Sequence, residues 1–181
     1  MKRKLMLVLF GAAIVGAASY YSMKAWATPA SGFTGITLAK GALGRFEVFN
    51  YFVLPQLNDD DRKVWMSLQK TRGDSDLYIQ SNTWAAPQPG QPIPNTGWHS
   101  HPGHSLIIVT AGTLTDYEAD DPTCTPHVYT VGMAFVDPGG THAHIIRNEG
   151  NVVAQNIAVQ LVPAGQPRRI DLATSPGNCP F

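Results

Sequence analysis

The histidines carry the clearest chemical signal in this sequence. All six lie between residues 99 and 144, and five of them form two short clusters, HSHPGH at 99 to 104 and HAH at 142 to 144. In an extended strand, residues two apart project from the same face, so His99 and His101 can direct two imidazoles toward one point. Imidazole nitrogen is a good ligand for Zn, Cu, Fe and Ni. The pattern predicts a metal site, with His144 as the third ligand from another strand.

Two longer segments surround these histidines. TGWHSHPGHSLIIVTAGTLTDYE, residues 96 to 118, resembles the first motif of the cupin superfamily, in which an H-x-H pair is followed by a Glu and then a Gly. GMAFVDPGGTHAHIIRN, residues 132 to 148, resembles the second motif, which runs from a Gly through Pro-x-Gly to a His and an Asn. The resemblance covers about residues 97 to 148. Outside such a context, an H-x-H pair is more often exposed or hydrogen-bonded than metal-bound.

This resemblance implies a fold and a set of residue roles. The implied fold is all-β, a single cupin-type β-barrel of the jelly-roll-like, double-stranded β-helix kind. The metal ligands implied by likeness to cupins are His99, His101 and His144. The implied turn residues are Gly112, Pro138 and Gly140, which agrees with the positive φ that tight turns favour in Gly and the φ that Pro fixes.

The chain departs from the cupin pattern at three places. One is Ile93, which stands where the first motif usually has its upstream Gly. Ser105 stands where the family usually has a Glu ligand. A neutral hydroxyl is a poor ligand for a divalent metal, so a fourth ligand must come from elsewhere in the chain or from water. The second motif also has one additional residue between Gly140 and His144. On a regular strand His142 would face the same way as His144 and be the fourth ligand, whereas a bulge would turn it toward solvent or a backbone carbonyl.

The other polar residues of these segments have less specific interpretations. His104 is expected to point out of the site or to lie at its mouth, and His127 is most simply a surface residue near Cys124. The sequence identifies no convincing general base. Glu118 and Tyr117, at the end of the first motif, are the nearest candidates, and a strand-end charge and a packed ring explain them equally well.

Strand-forming runs dominate the rest of the chain. They recur between turn-forming residues, while helical periodicity is almost absent, which is typical of an all-β sandwich or barrel. Within one of them Tyr78, Gln80, Asn82 and Trp84 share a face that either lines a pocket or is a packing or solvent-facing surface. Trp98 is either an aromatic wall of the site or a core residue. The predicted strands are 45–53, 63–70, 77–84, 105–110, 113–118, 127–131, 134–136, 142–147 and 152–161.

The first 27 residues have the layout of a secretory signal. A basic KRK cluster precedes an apolar run of about 14 residues, and alanines at 25 and 27 form an A-x-A-like cleavage site before Thr28. An uncleaved N-terminal membrane anchor is the alternative, although the run is shorter than the roughly 20 residues that span a bilayer. We expect residues 1–27 to be a signal peptide and the mature protein to be secreted or periplasmic.

Charge and length restrict the partners and the domain count. The chain has 13 basic and 13 acidic side chains, and removal of residues 1–27 leaves 9 against 13, a formal charge of −4. Neutralising phosphate requires clustered Lys and Arg, so neither nucleic acid nor, after signal removal, a membrane is an expected partner. Residues 28–181 suit one domain.

The two cysteines suggest a covalent link within this domain. Cys124 and Cys179 are the only cysteines in the chain. In an oxidising exported compartment two such residues usually pair, so we expect a disulfide that fastens the carboxyl-terminal tail to the Cys124 loop. Two free thiols are the alternative.

Three functions remain open at this point. The first is a metal-dependent enzyme, an oxygenase or a lyase or isomerase, acting on a small molecule through a divalent ion such as Zn, Mn, Ni, Cu or Fe. The second is a noncatalytic cupin that binds a small ligand. The third is a structural cupin without metal, which the missing Glu favours. A site of three neutral histidines would prefer anionic ligands, and likeness to cupins implies a possible homodimer.

Overall fold

Residues 28–53 and 64–181 are described by the structure, a computed structural model. The predicted signal peptide, residues 1–27, lies outside the described residues. Twelve strands and no helix occur in the described part of the chain. In the same part, therefore, no helix has the length and apolar character needed to cross a bilayer. The all-β prediction is confirmed.

The strands form two five-stranded sheets and a separate hairpin. Sheet one has the order β1-β4-β11-β6-β9, sheet two has the order β12-β5-β10-β7-β8, and β2 pairs with β3. Neighbouring strands are antiparallel throughout. The strands are β1 (Phe33–Ala42), β2 (Glu47–Val53), β3 (Val64–Lys70), β4 (Ser75–Trp84), β5 (His99–Ser100), β6 (Ser105–Ala111), β7 (Thr113–Glu118), β8 (His127–Thr130), β9 (Ala134–Asp137), β10 (Ala143–Arg147), β11 (Ala154–Pro163) and β12 (Ile170–Asp171).

From β6 onward the chain crosses repeatedly between the two sheets. Strands β6, β9 and β11 belong to sheet one, and β7, β8 and β10 belong to sheet two. This alternation is the jelly-roll arrangement, in which two sheets enclose one interior. The turn between β6 and β7 contains Gly112, and the turn between β9 and β10 contains Gly140; both have a positive φ.

The interior between the sheets follows the two-residue period of the strands. In β6 the side chains of Ser105, Ile107 and Val109 are buried, whereas Leu106 and Ile108 are exposed. Side chains of a strand alternate between its faces, so one face of β6 lines the interior. Residues of both sheets form the apolar core: Trp84, Ile107, Val109, Leu114, Phe135, Ile146, Ala154 and Ala158.

A second apolar cluster covers the outer face of sheet two. Ile145 points away from the interior and packs with Trp98, Tyr117 and Cys179. Cys179 is joined to Cys124 by a disulfide, which confirms the predicted pairing and holds the carboxyl-terminal tail on this face. Trp98 is therefore a core residue.

The sequence prediction missed β1, which carries no buried stripe. Nine of its ten residues are exposed, and its backbone pairs with β4 along the edge of sheet one. A strand held by backbone hydrogen bonds at an edge has little need of alternating apolar side chains, so the periodicity that identifies other strands is absent. The β2–β3 hairpin likewise leaves large apolar side chains exposed, among them Phe49, Tyr51, Trp65 and Leu68.

Candidate metal centre

His99 and His144 are direct cross-strand partners. Strand β5 pairs with β10 so that His144 lies opposite His99. Side chains opposite one another project from the same face, and His101 follows two residues after His99. All three rings are buried, and one ligand nitrogen of each lies within 4.8 Å of those of the other two. The structure thus brings together the three histidines that the sequence singled out.

Backbone carbonyls orient the first two rings. Nδ1 of His99 lies 2.9 Å from the carbonyl oxygen of Gly97, and Nδ1 of His101 lies 2.5 Å from that of Arg168. A ring that donates its Nδ1–H to a carbonyl presents an unprotonated Nε2, the form in which histidine binds metals. Gly97 lies two residues before β5, and Arg168 lies in the segment that leads to β12.

A carboxylate orients the third ring. Nδ1 of His144 lies 3.2 Å and 3.5 Å from the two carboxylate oxygens of Asp116. Nε2 of His144 is buried and has no hydrogen-bond partner among the described residues. Leaving a buried polar atom unpaired is costly, and a metal ion would supply the missing partner. The residues present therefore fit a metal held by imidazole nitrogens, with outer contacts of the kind that metal-binding histidines make.

The electrostatic surroundings of the rings differ. Burial lowers the pKa of His99 well below its ordinary value and lowers the pKa of His101 to about 4. Burial also acts to lower the pKa of His144, but nearby carboxylates, chiefly Asp116 and then Asp137, outweigh it and raise the pKa to about 9. Positive charge in this site is thus most favourable beside His144.

Asp137 is a buried carboxylate that the sequence prediction missed. Its side chain is 0% exposed, and its Oδ2 atom lies 3.6 Å from Nε2 of His101 and 3.9 Å from Nε2 of His144. Asp137 lies opposite Ser105 in the pairing of β9 with β6. Asp116 was missed as well. A signal was available only for Asp116, which lies on the interior side of the predicted 113–118 strand, where an acidic residue requires a partner. Asp137 follows the predicted 134–136 strand, and the structure extends β9 to include it.

The two segments that resemble cupin motifs occupy adjacent parts of this jelly roll. The first motif contains β5, β6 and β7, the second contains β9 and β10, and their three histidines meet between the sheets. The chain has a cupin-type fold.

Comparisons with known proteins give partial likenesses. No protein-family model and no curated protein sequence matches the chain. A solved cupin-like protein from Thermotoga maritima is 19% identical over 54% of this chain and 65% of its own, with a TM-score of 0.43. Oxalate oxidase in complex with the substrate analogue glycolate is 20% identical over 52% of this chain and 45% of its own, with a TM-score of 0.41.

A third solved structure is a DMSP lyase from Ruegeria pomeroyi. It is 15% identical over 52% of this chain and 42% of its own, with a TM-score of 0.41. The chain thus spans less than half the length of the oxidase and lyase chains.

His142 lies apart from the three-histidine cluster. Its Nε2 atom contacts the Glu118 carboxylate, and its Nδ1 atom lies 3.6 Å from Asp120. His142 precedes the first residue of β10, so the two-residue alternation that would align it with His144 does not extend to it. In this structure His142 therefore lies with Glu118 and Asp120 rather than with the three-histidine cluster.

The remaining candidates from the sequence also lie outside the cluster. His104 contacts Gln69 of the β2–β3 hairpin at 2.9 Å, and His127 is exposed at the start of β8. Tyr117 donates a hydrogen bond to Glu149 at 2.9 Å from within the outer apolar cluster. None of these three side chains reaches the cavity beside the histidines.

That cavity is small and carries two guanidinium groups. Its volume is about 30 Å³, and its walls include the three histidines, Arg168 and Arg169. Of the face predicted on the 77–84 strand, Asn82 and Trp84 line the cavity, whereas Gln80 is buried and donates a hydrogen bond to Thr37. A volume of this size has room for about two water molecules.

Proposed function

We propose that this protein binds one divalent metal ion through His99, His101 and His144 and uses it to bind a small molecule. The supporting observation is the orientation of the rings. The Nδ1 atoms of His99 and His101 lie 2.9 Å and 2.5 Å from backbone carbonyl oxygens. Nδ1 of His144 faces the Asp116 carboxylate, with its hydrogen-bond acceptor at 3.5 Å. The Nε2 atom of His144 is buried without a partner among the described residues. Such an arrangement leaves the Nε2 atoms unprotonated and directed toward a common cation.

The small molecule is proposed to be anionic or to carry an anionic group. Arg168 and Arg169 line the cavity, and both guanidinium groups are partly buried. Of these two, only Arg169 has an ion pair among the described residues, with Asp171 at 2.6 Å. Since the cavity has room for only about two waters, a small anion or the head group of a larger one fits its size and charge.

A metal-dependent reaction, catalysed by an oxygenase or by a lyase or isomerase, is the first candidate for the biological role. A bound divalent ion supplies Lewis-acid polarisation and a means of activating water or dioxygen. A noncatalytic binding protein is the second candidate, favoured because Tyr117 and Glu118, the nearest candidates for a general base, do not line the cavity. The chain's own part in either role is to orient a ligand beside the rings and to exclude water.

We further propose that residues 28–181 act as one exported domain. The disulfide is in keeping with an oxidising compartment, and the side chain of Thr28 accepts a hydrogen bond from the Trp98 backbone at 2.8 Å. A secreted or periplasmic location, a homodimer and the absence of nucleic-acid and membrane partners stay predictions. The mass of the exported protein and its size in solution would test the first two.

Elemental analysis tests the metal site. Protein purified without added metal should contain about one equivalent of a divalent ion, and the double variant His99→Ala, His101→Ala should contain almost none. The matched control is His104→Ala, His127→Ala, which also removes two histidines but leaves the cluster intact. Equal metal in wild type and the His99, His101 variant would reject the site.

A second experiment separates catalysis from binding. Oxygen uptake and product formation are measured on thiols, phenols and organic acids with wild type and the same two double variants. Turnover that is lost only in the His99, His101 variant supports an enzyme. Ligand binding without turnover, with the same dependence on the two histidines, supports the binding protein.

A further inference from the structure

We propose that Asp137 is the fourth protein ligand of the metal and takes over the role of the missing Glu at position 105. This inference rests on the proposed three-histidine site. It adds the carboxylate of Asp137 on β9, whereas position 105, where cupins usually have the Glu ligand, lies on β6. The metal would then have three nitrogen donors and one oxygen donor from the protein.

The pairing of two strands places Asp137 beside the vacated position. Ser105 on β6 and Asp137 on β9 are direct cross-strand partners, so their side chains project from the same face of sheet one. Both residues are buried. A small Ser side chain leaves room at this point, and Asp137 Oδ2 lies 3.4 Å from Ser105 Oγ.

The two oxygens of Asp137 have different surroundings. Oδ1 accepts a hydrogen bond from the Gly139 backbone at 2.9 Å, which holds the carboxylate in the turn after β9. Oδ2 faces His101 and His144, and its one hydrogen bond among the described residues, from Ser105, is long. An ionised carboxylate has about four lone-pair sites, so Oδ2 keeps capacity for a further partner.

The distances suit a shared ion. Two ligands of a tetrahedral zinc, each about 2.0 to 2.1 Å from the metal, lie about 3.3 Å from each other. Oδ2 of Asp137 is 3.6 Å from Nε2 of His101 and 3.9 Å from Nε2 of His144. A contraction of a few tenths of an ångström would bring these atoms into one coordination sphere.

A carboxylate here also changes the charge of the site. Three neutral imidazoles leave a divalent ion with its full charge, whereas one bound carboxylate cancels half of it. Asp116 is also buried, but it contacts Nδ1 of His144, the ring nitrogen that faces away from a metal bound at Nε2. Asp116 and Asp137 thus form a matched pair of buried acids, of which only Asp137 is placed to bind the metal.

The experiment compares Asp137→Asn with Asp116→Asn. Both substitutions remove one buried negative charge and keep the side-chain shape, and in Asp137→Asn the new amide oxygen can still accept the Gly139 hydrogen bond. Each variant and wild type are loaded with Co²⁺. Affinity is measured by competition with a chelator, and the visible absorption bands report the ligand set. Circular dichroism and thermal unfolding establish that each variant is folded.

Asp137→Asn is expected to weaken Co²⁺ binding by more than about 100-fold and to alter the absorption bands. Asp116→Asn is expected to weaken binding by about 10- to 100-fold, as outer contacts of metal ligands do, with the bands unchanged. An Asp137→Asn protein with the wild-type absorption bands would overturn the proposal, whatever its affinity. If wild type itself binds no metal, the proposed function fails rather than the role of Asp137.

A measurement on the wild-type protein remains decisive if Asp137→Asn does not fold. A crystal structure of the Zn²⁺ form is expected to place an Asp137 oxygen about 2.0 to 2.2 Å from the metal. A zinc ion bound by the three histidines and by water, with the Asp137 carboxylate outside its coordination sphere, would contradict the assignment.

Discussion

His144 lies between two buried carboxylates of the interior, those of Asp116 and Asp137. The Asp116 carboxylate lies against its Nδ1 atom, and the Asp137 carboxylate lies near its Nε2 atom. Both acids are buried, and buried carboxylates require a nearby cation or a dense set of hydrogen bonds. Without metal, these acids favour a proton on His144. A divalent ion would replace that proton and neutralise the same charges more completely.

The first prediction concerns acid. Metal should be lost as pH falls, because a ligating nitrogen must be unprotonated and protons compete with the ion for it. The raised pKa of His144, about 9, makes this ring the first to take up a proton, whereas His101, with a pKa of about 4, resists protonation until much lower pH. Dialysis against dilute metal at a series of pH values, followed by elemental analysis, should therefore show metal occupancy that falls progressively as the pH is lowered from about 9. Full stoichiometry retained at pH 4 would count against histidine ligation.

At the scale of elements, the turn between β9 and β10 joins the two halves of the site. It carries Asp137 at one end and leads to His144 at the other. Gly140 donates a backbone hydrogen bond to the carbonyl oxygen of His101 at 2.6 Å, so the turn is tied to the loop of the first motif. Gly139 has a φ of 68°, and a Cβ atom there would collide with the backbone of Gly103. The close approach of these two loops depends on the absence of a side chain at 139.

The second prediction compares two neighbouring glycines. Gly139→Ala should lower the free energy of unfolding by at least about 3 kcal/mol, because it combines a positive φ with a backbone collision. Gly140→Ala has a similar φ of 71° but no atom within 4 Å of its added Cβ, so it should cost only about 1 to 2 kcal/mol. Urea unfolding measures both values. Equal losses would contradict the close packing of the turn.

At the scale of the whole molecule, the carboxyl-terminal tail connects the site to the outer face of sheet two. The Arg168 carbonyl accepts the contact from His101 Nδ1, and β12 pairs with β5 beside His99. Further along, Asn178 donates hydrogen bonds to the backbone of Glu118 and Asp121. The tail therefore has two parts. The part near Arg168 orients His101, and the part near Cys179 is held to Cys124 by the disulfide.

The third prediction separates these two parts of the tail. The double variant Cys124→Ser, Cys179→Ser should lower the free energy of unfolding by about 4 kcal/mol, the chain-entropy estimate for a loop of this length. The bridge spans 55 residues in sequence. Metal content should stay at that of wild type, because β12 is held to β5 by its own pairing. Denaturant unfolding of wild type and the double variant, with and without reductant, measures the loss in the free energy of unfolding. If reductant also destabilised the double variant, the loss in wild type would not come from the disulfide.

The sequence determined the residues that resemble cupin motifs, the all-β fold and the disulfide. The histidines at 99, 101 and 144 were identifiable because strand periodicity and motif spacing are local properties of the chain. The chain has only two cysteines, so only one intramolecular disulfide can form, and the signal-like start predicts an oxidising compartment in which it would form. Each of these inferences needed only residues close in sequence or, for the disulfide, a single available partner.

The tertiary structure alone decided which acids accompany the histidines. Asp137 reaches the site because β9 pairs with β6, and His142 is excluded because β10 begins one residue after it. Arg168 approaches from a segment far along the chain. Pairing and register between distant strands depend on how the whole interior packs, so no local pattern reports them.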